Sequence, residues 1–209
     1  WAFYVNRGQA ISSFGVGDED HAIVEFLAAN RAYESVTIRG FRTFIKPRSR
    51  SGRDAPYYDA FAGGGNAAAF DVTNEMRIHA HELALDETNR RLGLRVRVEY
   101  FPLPGESFGA LVRRMSITNI ARRPAELDIL DGLPQIVPYG VTNFSLKRLP
   151  RTIEAWMEVE NLSARVPFFH LRLEPTDRPE VHPIRDGHFY LAFDERGVAP
   201  TIVDPAAIF

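Results

Sequence analysis

Residues 95–101 (Arg-Val-Arg-Val-Glu-Tyr-Phe) decide the fold class, because charged and apolar side chains alternate through most of this stretch. A period of two places one set of side chains on the buried face of a strand and the other set in water. The same pattern, less strictly kept, recurs in residues 78–85, 115–120 and 126–130. It predicts strands with one buried and one exposed face, as in antiparallel sheets.

Further short strands are predicted in the second half of the chain, at residues 155–159, 167–173 and 188–193. Turn-forming residues separate the strands, at positions 86–89, 102–107, 119–124 and 194–197. No long segment keeps a helical period, and only brief helices are expected, at residues 28–34 and near 71–75. Short strands joined by such turns predict an antiparallel all-β chain with few short helices.

Three polar or glycine-rich segments predict exposed loops, at residues 46–56 (KPRSRSGRDAP), 61–69 (FAGGGNAAA) and 174–183 (EPTDRPEVHP). We find no internal repeat and predict a single β-sandwich domain over residues 1–209. Both ends are apolar, with WAFYV at the start and AIF at residues 207–209. Because natural termini tend to be polar and frayed, we expect this domain to be part of a longer polypeptide.

The composition excludes several classes of function. The chain has 209 residues, 45% of them apolar, which is enough to bury a sizeable core. Lys and Arg number 25 against 27 Asp and Glu, so the net charge of −2 gives no general attraction to nucleic acid or to an anionic membrane. No apolar run approaches a membrane span. The absence of cysteine excludes disulfides and thiolate chemistry, and it fits the reducing cytoplasm that we expect as the location.

Two segments are candidates for metal binding. His79 and His81 would share one face if they lay in a strand, so two imidazoles could chelate one ion. No other histidine lies near them in the sequence, and a solvent-facing pair explains them without a metal. Residues 18–21 (Asp-Glu-Asp-His) are acidic but lack the alternate spacing of a calcium loop, which favours a solvated turn. We therefore predict no metal site and no cofactor.

Glu126, Asp128 and Asp131 are the candidate catalytic carboxylates, since paired carboxylates perform glycoside hydrolysis. Alternation with Leu127 and Ile129 assigns Glu126 and Asp128 to the wet face of an ordinary strand, which explains them without catalysis. The sequence contains no nucleophile elbow, HExxH, Walker or dinucleotide-binding motif. No catalytic residue is predicted in this chain.

Two stretches together carry a resemblance to a known family. The first comprises residues 4–16 (YVNRGQAISSFGV), 23–26 (IVEF), 28–33 (AANRAY) and 40–44 (GFRTF), and the second comprises 99–114 (EYFPLPGESFGALVRR) and 130–140 (LDGLPQIVPYG). They resemble the N-terminal β-sandwich region of the cellobiose phosphorylase-like enzymes, which include disaccharide and β-glucan phosphorylases and the cyclic β-glucan synthase relatives. The resemblance implies a large antiparallel super-sandwich of the galactose mutarotase-like type.

In that family an (α/α)6 barrel follows the sandwich and carries the general acid and most phosphate and sugar contacts. The resemblance therefore implies a non-catalytic N-terminal domain of a carbohydrate-active enzyme. Its parent would be an inverting glycoside phosphorylase acting on β-glucosides, with inorganic phosphate as a substrate. The implied partners are a carbohydrate, the barrel of the same parent chain and a second copy in a homodimer, with no nucleic acid and no membrane. The alternatives are a stand-alone carbohydrate-binding module, a structural or dimerisation domain, and a metalloenzyme built on His79 and His81.

By the same analogy, the residues expected to bind carbohydrate are Arg42, Asp131, Gln135 and Tyr139. Arg42 and Gln135 would hydrogen-bond to hydroxyls or carboxylates, and Tyr139 would stack on a sugar ring. The competing interpretation is that Arg42 and Asp131 pair with each other to brace strand ends, and that residues 133–135 are only a rigid turn.

Overall fold

The computed structural model describes residues 1–5, 8–48, 57–62 and 71–199. Their contacts divide the chain into two units: Trp1–Phe14 with Leu27–Gln135 form the first, and Gly15–Phe26 with the chain from Ile136 onward form the second. Most of the predicted loops at residues 46–56 and 61–69, and the apolar end at 207–209, lie outside the described residues. The assignment of residues 1–209 to one domain stays a prediction.

The first unit is built on an antiparallel sheet of four sequential strands. They are β6 (Val72–Ile78), β7 (Leu83–Asn89), β8 (Leu94–Pro102) and β9 (Leu111–Asn119), hydrogen-bonded in that order. Four side chains of β8 are at most 1% exposed, namely Leu94, Val96, Val98 and Tyr100. Arg95 and Arg97 alternate with them and reach solvent. The strand predicted from residues 95–101 is therefore confirmed.

A second antiparallel sheet of the first unit has the order β10-β4-β5, from β4 (Arg42–Pro47), β5 (Tyr58–Ala60) and β10 (Leu127–Gly132). A short antiparallel pair, β1 (Ala2–Phe3) with β2 (Ile11–Gly15), completes the strands of this unit. One hydrophobic cluster joins the two sheets, because Ile45 and Tyr58 pack with Leu83, Val98 and Tyr100. The apolar face of each sheet is thus buried against the other.

One helix, α1 (Ala29–Arg39), belongs to the first unit and confirms the helix expected at residues 28–34. Ala32 and Val36 are its buried residues, and their spacing of four places both on one face. The helix ends at Gly40, whose N–H donates to the Val36 carbonyl. A Cβ at Gly40 would lie 2.4 Å from that carbonyl oxygen, so the tight chain reversal requires glycine.

The second unit has its own small core of Val137, Val141, Ile153 and Leu171. Its elements are β3 (Ala22–Val24), α2 (Asn143–Arg148), α3 (Pro150–Glu154), β11 (Met157–Glu160), β12 (Phe168–Leu171), β13 (His188–Phe189), β14 (Phe193–Asp194) and β15 (Gly197–Val198). Strands β11, β12 and β13 form one antiparallel sheet, and β14 pairs with β15. The loop predicted at residues 174–183 is confirmed.

The prediction of an antiparallel all-β chain with few short helices is confirmed, but several segments differ from their predictions. The helix expected near residues 71–75 is part of β6, because seven successive residues of β6 pair with β7. The strand expected at residues 78–85 is interrupted by a hairpin turn, in which the N–H of His79 donates to the carbonyl of Glu82. The strand expected at residues 188–193 is divided between β13 and β14.

The prediction of a turn at residues 86–89 is also wrong, because these residues form the last part of β7. Asp86, Glu87 and Asn89 are all buried. The turn preference of such residues reflects hydrogen bonds from their side chains to the local backbone. Here cross-strand pairing with β6 and β8, together with side-chain partners elsewhere in the unit, outweighs that preference.

Candidate functional site

Asp131 lies in a buried polar cluster centred on Arg113, which is only 8% exposed. The Arg113 guanidinium donates to Asp131, to Gln9 Oε1 at 2.7 Å and to Thr43 Oγ1 at 2.9 Å. Its Nε also donates to the Tyr100 hydroxyl at 3.2 Å. We call these five residues (Gln9, Thr43, Tyr100, Arg113 and Asp131) the Arg113 cluster.

Strand register explains how the Arg113 cluster assembles. Tyr100 and Arg113 are direct partners in β8 and β9, while Thr43 and Asp131 are direct partners in β4 and β10. The cluster therefore joins the two sheets of the first unit with polar contacts beside the apolar core. Its one cation and one carboxylate pair with each other, so the cluster can brace the sheets but offers no proton donor to solvent.

Arg42 has different partners from Asp131. Its guanidinium forms an ion pair with Asp59, donates to the Thr37 carbonyl at 3.1 Å and lies 4.7 Å from the centre of the Phe44 ring. The interpretation in which Arg42 pairs with Asp131 is wrong. Thr43, next to Arg42 in β4, is the residue opposite Asp131, and successive side chains of a strand point to opposite faces.

The other two expected carbohydrate-binding residues fall in different units. Gln135 is exposed at the last position of the first unit. Tyr139 is half-buried in the second unit, where its ring packs edge-to-face on His188 with 5.5 Å between centroids. Its backbone N–H donates to the Phe169 carbonyl at 3.1 Å. Of the four predicted residues, only Arg42 and Asp131 lie on neighbouring strands, and each has its own ionic partner.

His188, the ring partner of Tyr139, is a largely buried imidazole. Burial lowers the pKa of His188, and electrostatic repulsion from His21 acts in the same direction. Its Nδ1 lies 2.7 Å from the Val137 carbonyl oxygen, a hydrogen bond that opposes the shift without cancelling it. Because a carbonyl can only accept, Nδ1 carries the proton of the neutral ring.

The candidate carboxylates do not form a catalytic pair. Asp128 and Asp131 lie on opposite faces of β10, since they are three residues apart in a strand. Glu126 and Asp128 are exposed, as the alternation predicts. Hydrogen bonds from Arg48, at 2.9 Å and 2.6 Å, lower the pKa of Asp128, which is opposite to what a general acid at neutral pH needs.

The two segments considered for metal binding are also explained locally. His79 and His81 are exposed in the turn between β6 and β7, so the argument that places them on one strand face does not apply. Residues 19–21 form a short 3-10 turn after Asp18. Their carboxylates bind the start of α2, because Asp20 accepts from the Asn143 N–H at 2.7 Å and Glu19 accepts from its side-chain amide at 2.8 Å.

Sequence reasoning missed the buried carboxylate of Glu87, which is 3% exposed. Its Oε1 accepts from the Tyr58 hydroxyl and from the Phe61 N–H at 3.0 Å. Burial raises the pKa of Glu87, and burial together with Glu87 raises the pKa of Tyr58. The available signal was the spacing Leu83, Leu85, Glu87, which continues the buried face of β7 with a period of two.

The opposite face of the four-stranded sheet carries the charged side chains that the alternation predicts, but their ion pairs were not predicted. Asp86, whose side chain is 7% exposed, lies between Arg77 at 3.2 Å and Arg95 at 2.8 Å. Glu99 accepts from Arg114 at 2.6 Å and Arg97 at 2.8 Å, and the hydrogen bond from Arg114 is the main cause of its lowered pKa. Each of these four arginines therefore has a carboxylate partner on the same face.

The sequence matches no protein-family model, and no curated protein is significantly similar to it. Within the described residues, no helix is both long enough and apolar enough to cross a membrane.

Proposed function

We propose that this chain is the non-catalytic N-terminal sandwich domain of a carbohydrate-active enzyme, whose parent is an inverting glycoside phosphorylase acting on β-glucosides. The observation that carries the proposal is the composition of the Arg113 cluster. Gln9 and Thr43 come from the first stretch that resembles the family, and Tyr100, Arg113 and Asp131 come from the second. Five residues from the two stretches therefore meet in the first unit, where they connect its two sheets.

This arrangement favours a structural rather than a catalytic role for the chain within the enzyme. Catalysis of glycosyl transfer needs a positioned proton donor and a clamp for the anion. In the described residues, Asp131 is paired with Arg113 and Arg42 is paired with Asp59. The finer fold that we propose is the galactose mutarotase-like super-sandwich, for which two antiparallel sheets sharing one core are the supporting observation.

The proposed partners follow from the same assignment. The parent's (α/α)6 barrel would supply the general acid and the phosphate site, and loops of the sandwich would border the sugar. Gln135, which is exposed, and Tyr139, which is half-buried, are the proposed contacts to carbohydrate. Arg42 and Asp131, which have ionic partners, would brace the strands of the first unit. A second copy of the chain in a homodimer and a cytoplasmic location are parts of the same proposal.

The deciding experiment is performed on the native gene product. An antibody raised against this chain, followed by intact mass spectrometry, gives the mass of the natural protein. We expect a product several times larger than 23.6 kDa that releases sugar 1-phosphate from cello- or laminari-oligosaccharides only when phosphate is present. A native product near 23.6 kDa, or sugar release that does not depend on phosphate, would contradict the phosphorylase assignment.

A second candidate, a carbohydrate-binding module, is favoured by exposed aromatic rings. The exposed fractions are 63% for Tyr57, 65% for Phe144 and 73% for Phe193. Aromatic faces of this kind stack on sugar rings. Calorimetry of the full chain with millimolar cello- and laminari-oligosaccharides tests this candidate, with Phe144→Ala and Phe193→Ala as matched variants. Binding heat that falls in one of these variants supports the module, and no heat at all contradicts it.

Exposed apolar side chains equally suit a structural or dimerisation domain, in which they would be covered by a second copy. Light scattering separates this case from the module. A dimer that dissociates in the Phe144→Ala or Phe193→Ala variant supports assembly, whereas a monomer at all concentrations contradicts it.

A further inference from the structure

Three side chains able to ligate a metal converge on one face of the β11-β12-β13 sheet. Glu158 and Glu160 lie two residues apart in β11, and His170 of β12 is the direct partner of Glu158. One ligating atom from each side chain lies within 4.8 Å of the others. Antiparallel pairing thus brings together three groups that are separated in the sequence.

His170 is oriented as a metal ligand would be. Its Nδ1 lies 3.1 Å from the Leu171 carbonyl oxygen, which can only accept, so Nδ1 carries the proton of the neutral ring. The lone pair is then on Nε2. In metalloproteins, the ring nitrogen that does not bind the metal commonly donates to a backbone carbonyl in this way.

The Nε2 atom of His170 is buried and has no hydrogen-bond partner among the described residues, and the residue as a whole is 5% exposed. Its nearest carboxylate oxygen, Glu160 Oε1, is 3.6 Å away, which is too long for a hydrogen bond. An unsatisfied buried acceptor of this kind is unfavourable and calls for a partner.

We propose that Glu158, Glu160 and His170 bind one divalent metal ion, for which Zn²⁺ is the best fit. Two ligand atoms that are each about 2.1 Å from a tetrahedral Zn²⁺ lie about 3.4 Å apart. The 3.6 Å between His170 Nε2 and Glu160 Oε1 is close to that separation. Two carboxylates also balance the double charge of the ion. Because Glu158 and Glu160 are 43% and 54% exposed, water can supply the fourth ligand.

Arg172 is the charged group that opposes the ion. Its Nε is 4.0 Å from Glu158 Oε2, and its Nη2 donates to the Ala155 carbonyl at 3.1 Å. Removing this positive charge should strengthen cation binding, so we expect Arg172→Gln to lower the Kd for Zn²⁺ severalfold. The bound ion would connect β11 to β12, and Zn²⁺ should therefore raise the thermal unfolding temperature of the chain.

The test uses the 209-residue chain purified without a histidine tag and freed of metal with a chelator. We expect calorimetry to give one Zn²⁺ per chain with a Kd in the micromolar range, and at least tenfold weaker binding in Glu160→Gln and His170→Asn. Co²⁺ should give visible absorption bands of a four-coordinate site, which Glu160→Gln removes. Glu160→Gln changes an exposed side chain, so it remains informative even where the His170 variant unfolds.

The matched control is the double variant His79→Gln and His81→Gln, which removes the two exposed histidines of the β6–β7 turn. It should bind Zn²⁺ as the unchanged chain does. Loss of binding in this control, unchanged binding in Glu160→Gln, or no Zn²⁺ binding at millimolar concentration would each overturn the proposal.

Discussion

Arg113 of β9 and Asp131 of β10 form a buried ion pair that joins the two sheets of the first unit. Removing one member of such a pair leaves the other charge buried without compensation, which costs about 3–5 kcal/mol. We therefore expect Arg113→Met to lower the free energy of unfolding by about this amount, measured by urea denaturation at pH 7.

The exposed pair of Arg48 and Asp128 is the matched control, because its side chains are 62% and 49% exposed. Water and salt screen such a pair, so Arg48→Met should change the unfolding midpoint little. If both variants lost the same free energy of unfolding, burial would not explain the contribution of the Arg113–Asp131 pair to stability.

Glu87 should make stability depend on pH. Its folded-state pKa is raised by burial, so the folded chain holds this proton more tightly than the unfolded chain does. The stability due to Glu87 is full at low pH and is lost as the pH rises from the unfolded pKa of about 4.3 through the raised folded value. Glu87→Gln keeps an acceptor for Tyr58 and removes the titration.

The measurement is urea unfolding of the unchanged chain and of Glu87→Gln between pH 4 and pH 8. The stability difference should move in favour of the variant as the pH rises. The exposed Glu106→Gln variant should run parallel to the unchanged chain. A pH-independent difference between Glu87→Gln and the unchanged chain would be inconsistent with a raised pKa at Glu87.

His188 should give stability a dependence on pH that is opposite to that of Glu87. Because burial lowers its folded pKa, the unfolded chain binds this proton first, and stability falls as the pH drops below about 6.5. In an NMR titration, the ring proton that disappears in His188→Gln should have a midpoint below about 6.5. A midpoint above that value would refute the neutral buried imidazole.

Gly140 and Gly105 offer a comparison of two glycines with positive φ, +87° and +78°. A Cβ at Gly140 would lie 2.5 Å from Ile184 Cδ1, whereas a Cβ at Gly105 would meet nothing within 4 Å. Gly105→Ala should cost about 1 kcal/mol from backbone strain alone. Gly140→Ala should cost more, because Ile184 must also move. Thermal unfolding of both variants checks the order, and equal losses would mean that Ile184 adapts freely.

The strands could be predicted wherever one face is apolar and the other charged. Val96, Val98 and Tyr100 alternate with charged residues, so β8 was visible in the sequence. Glu87 was missed because its type favours turns and because its partners, Tyr58 and the Phe61 N–H, are distant in the sequence. The local sequence reveals the period with which side chains are buried, but it does not reveal which residue a polar side chain contacts.

The candidate sites show the same limit more strongly. Gln9 and Arg113 are in contact although 104 positions separate them in the chain. The Glu158, Glu160 and His170 group exists only because β11 and β12 pair in one register. His79 and His81 were a candidate metal-binding pair because both would lie on one face of a strand. They lie in a hairpin turn instead, so that argument does not apply.

Strand β10 has a consequence for self-association. Among the described strands it pairs only with β4, so in this part of the chain it is an edge strand, and its Ile129 is 46% exposed. An edge strand can pair with strands of other molecules, and charged side chains oppose such intermolecular pairing. Asp128 lies in β10, and Arg48, which follows β4, pairs with it. We therefore expect the resistance of the chain to aggregation to depend on Arg48 and Asp128, although this pair adds little to the free energy of folding.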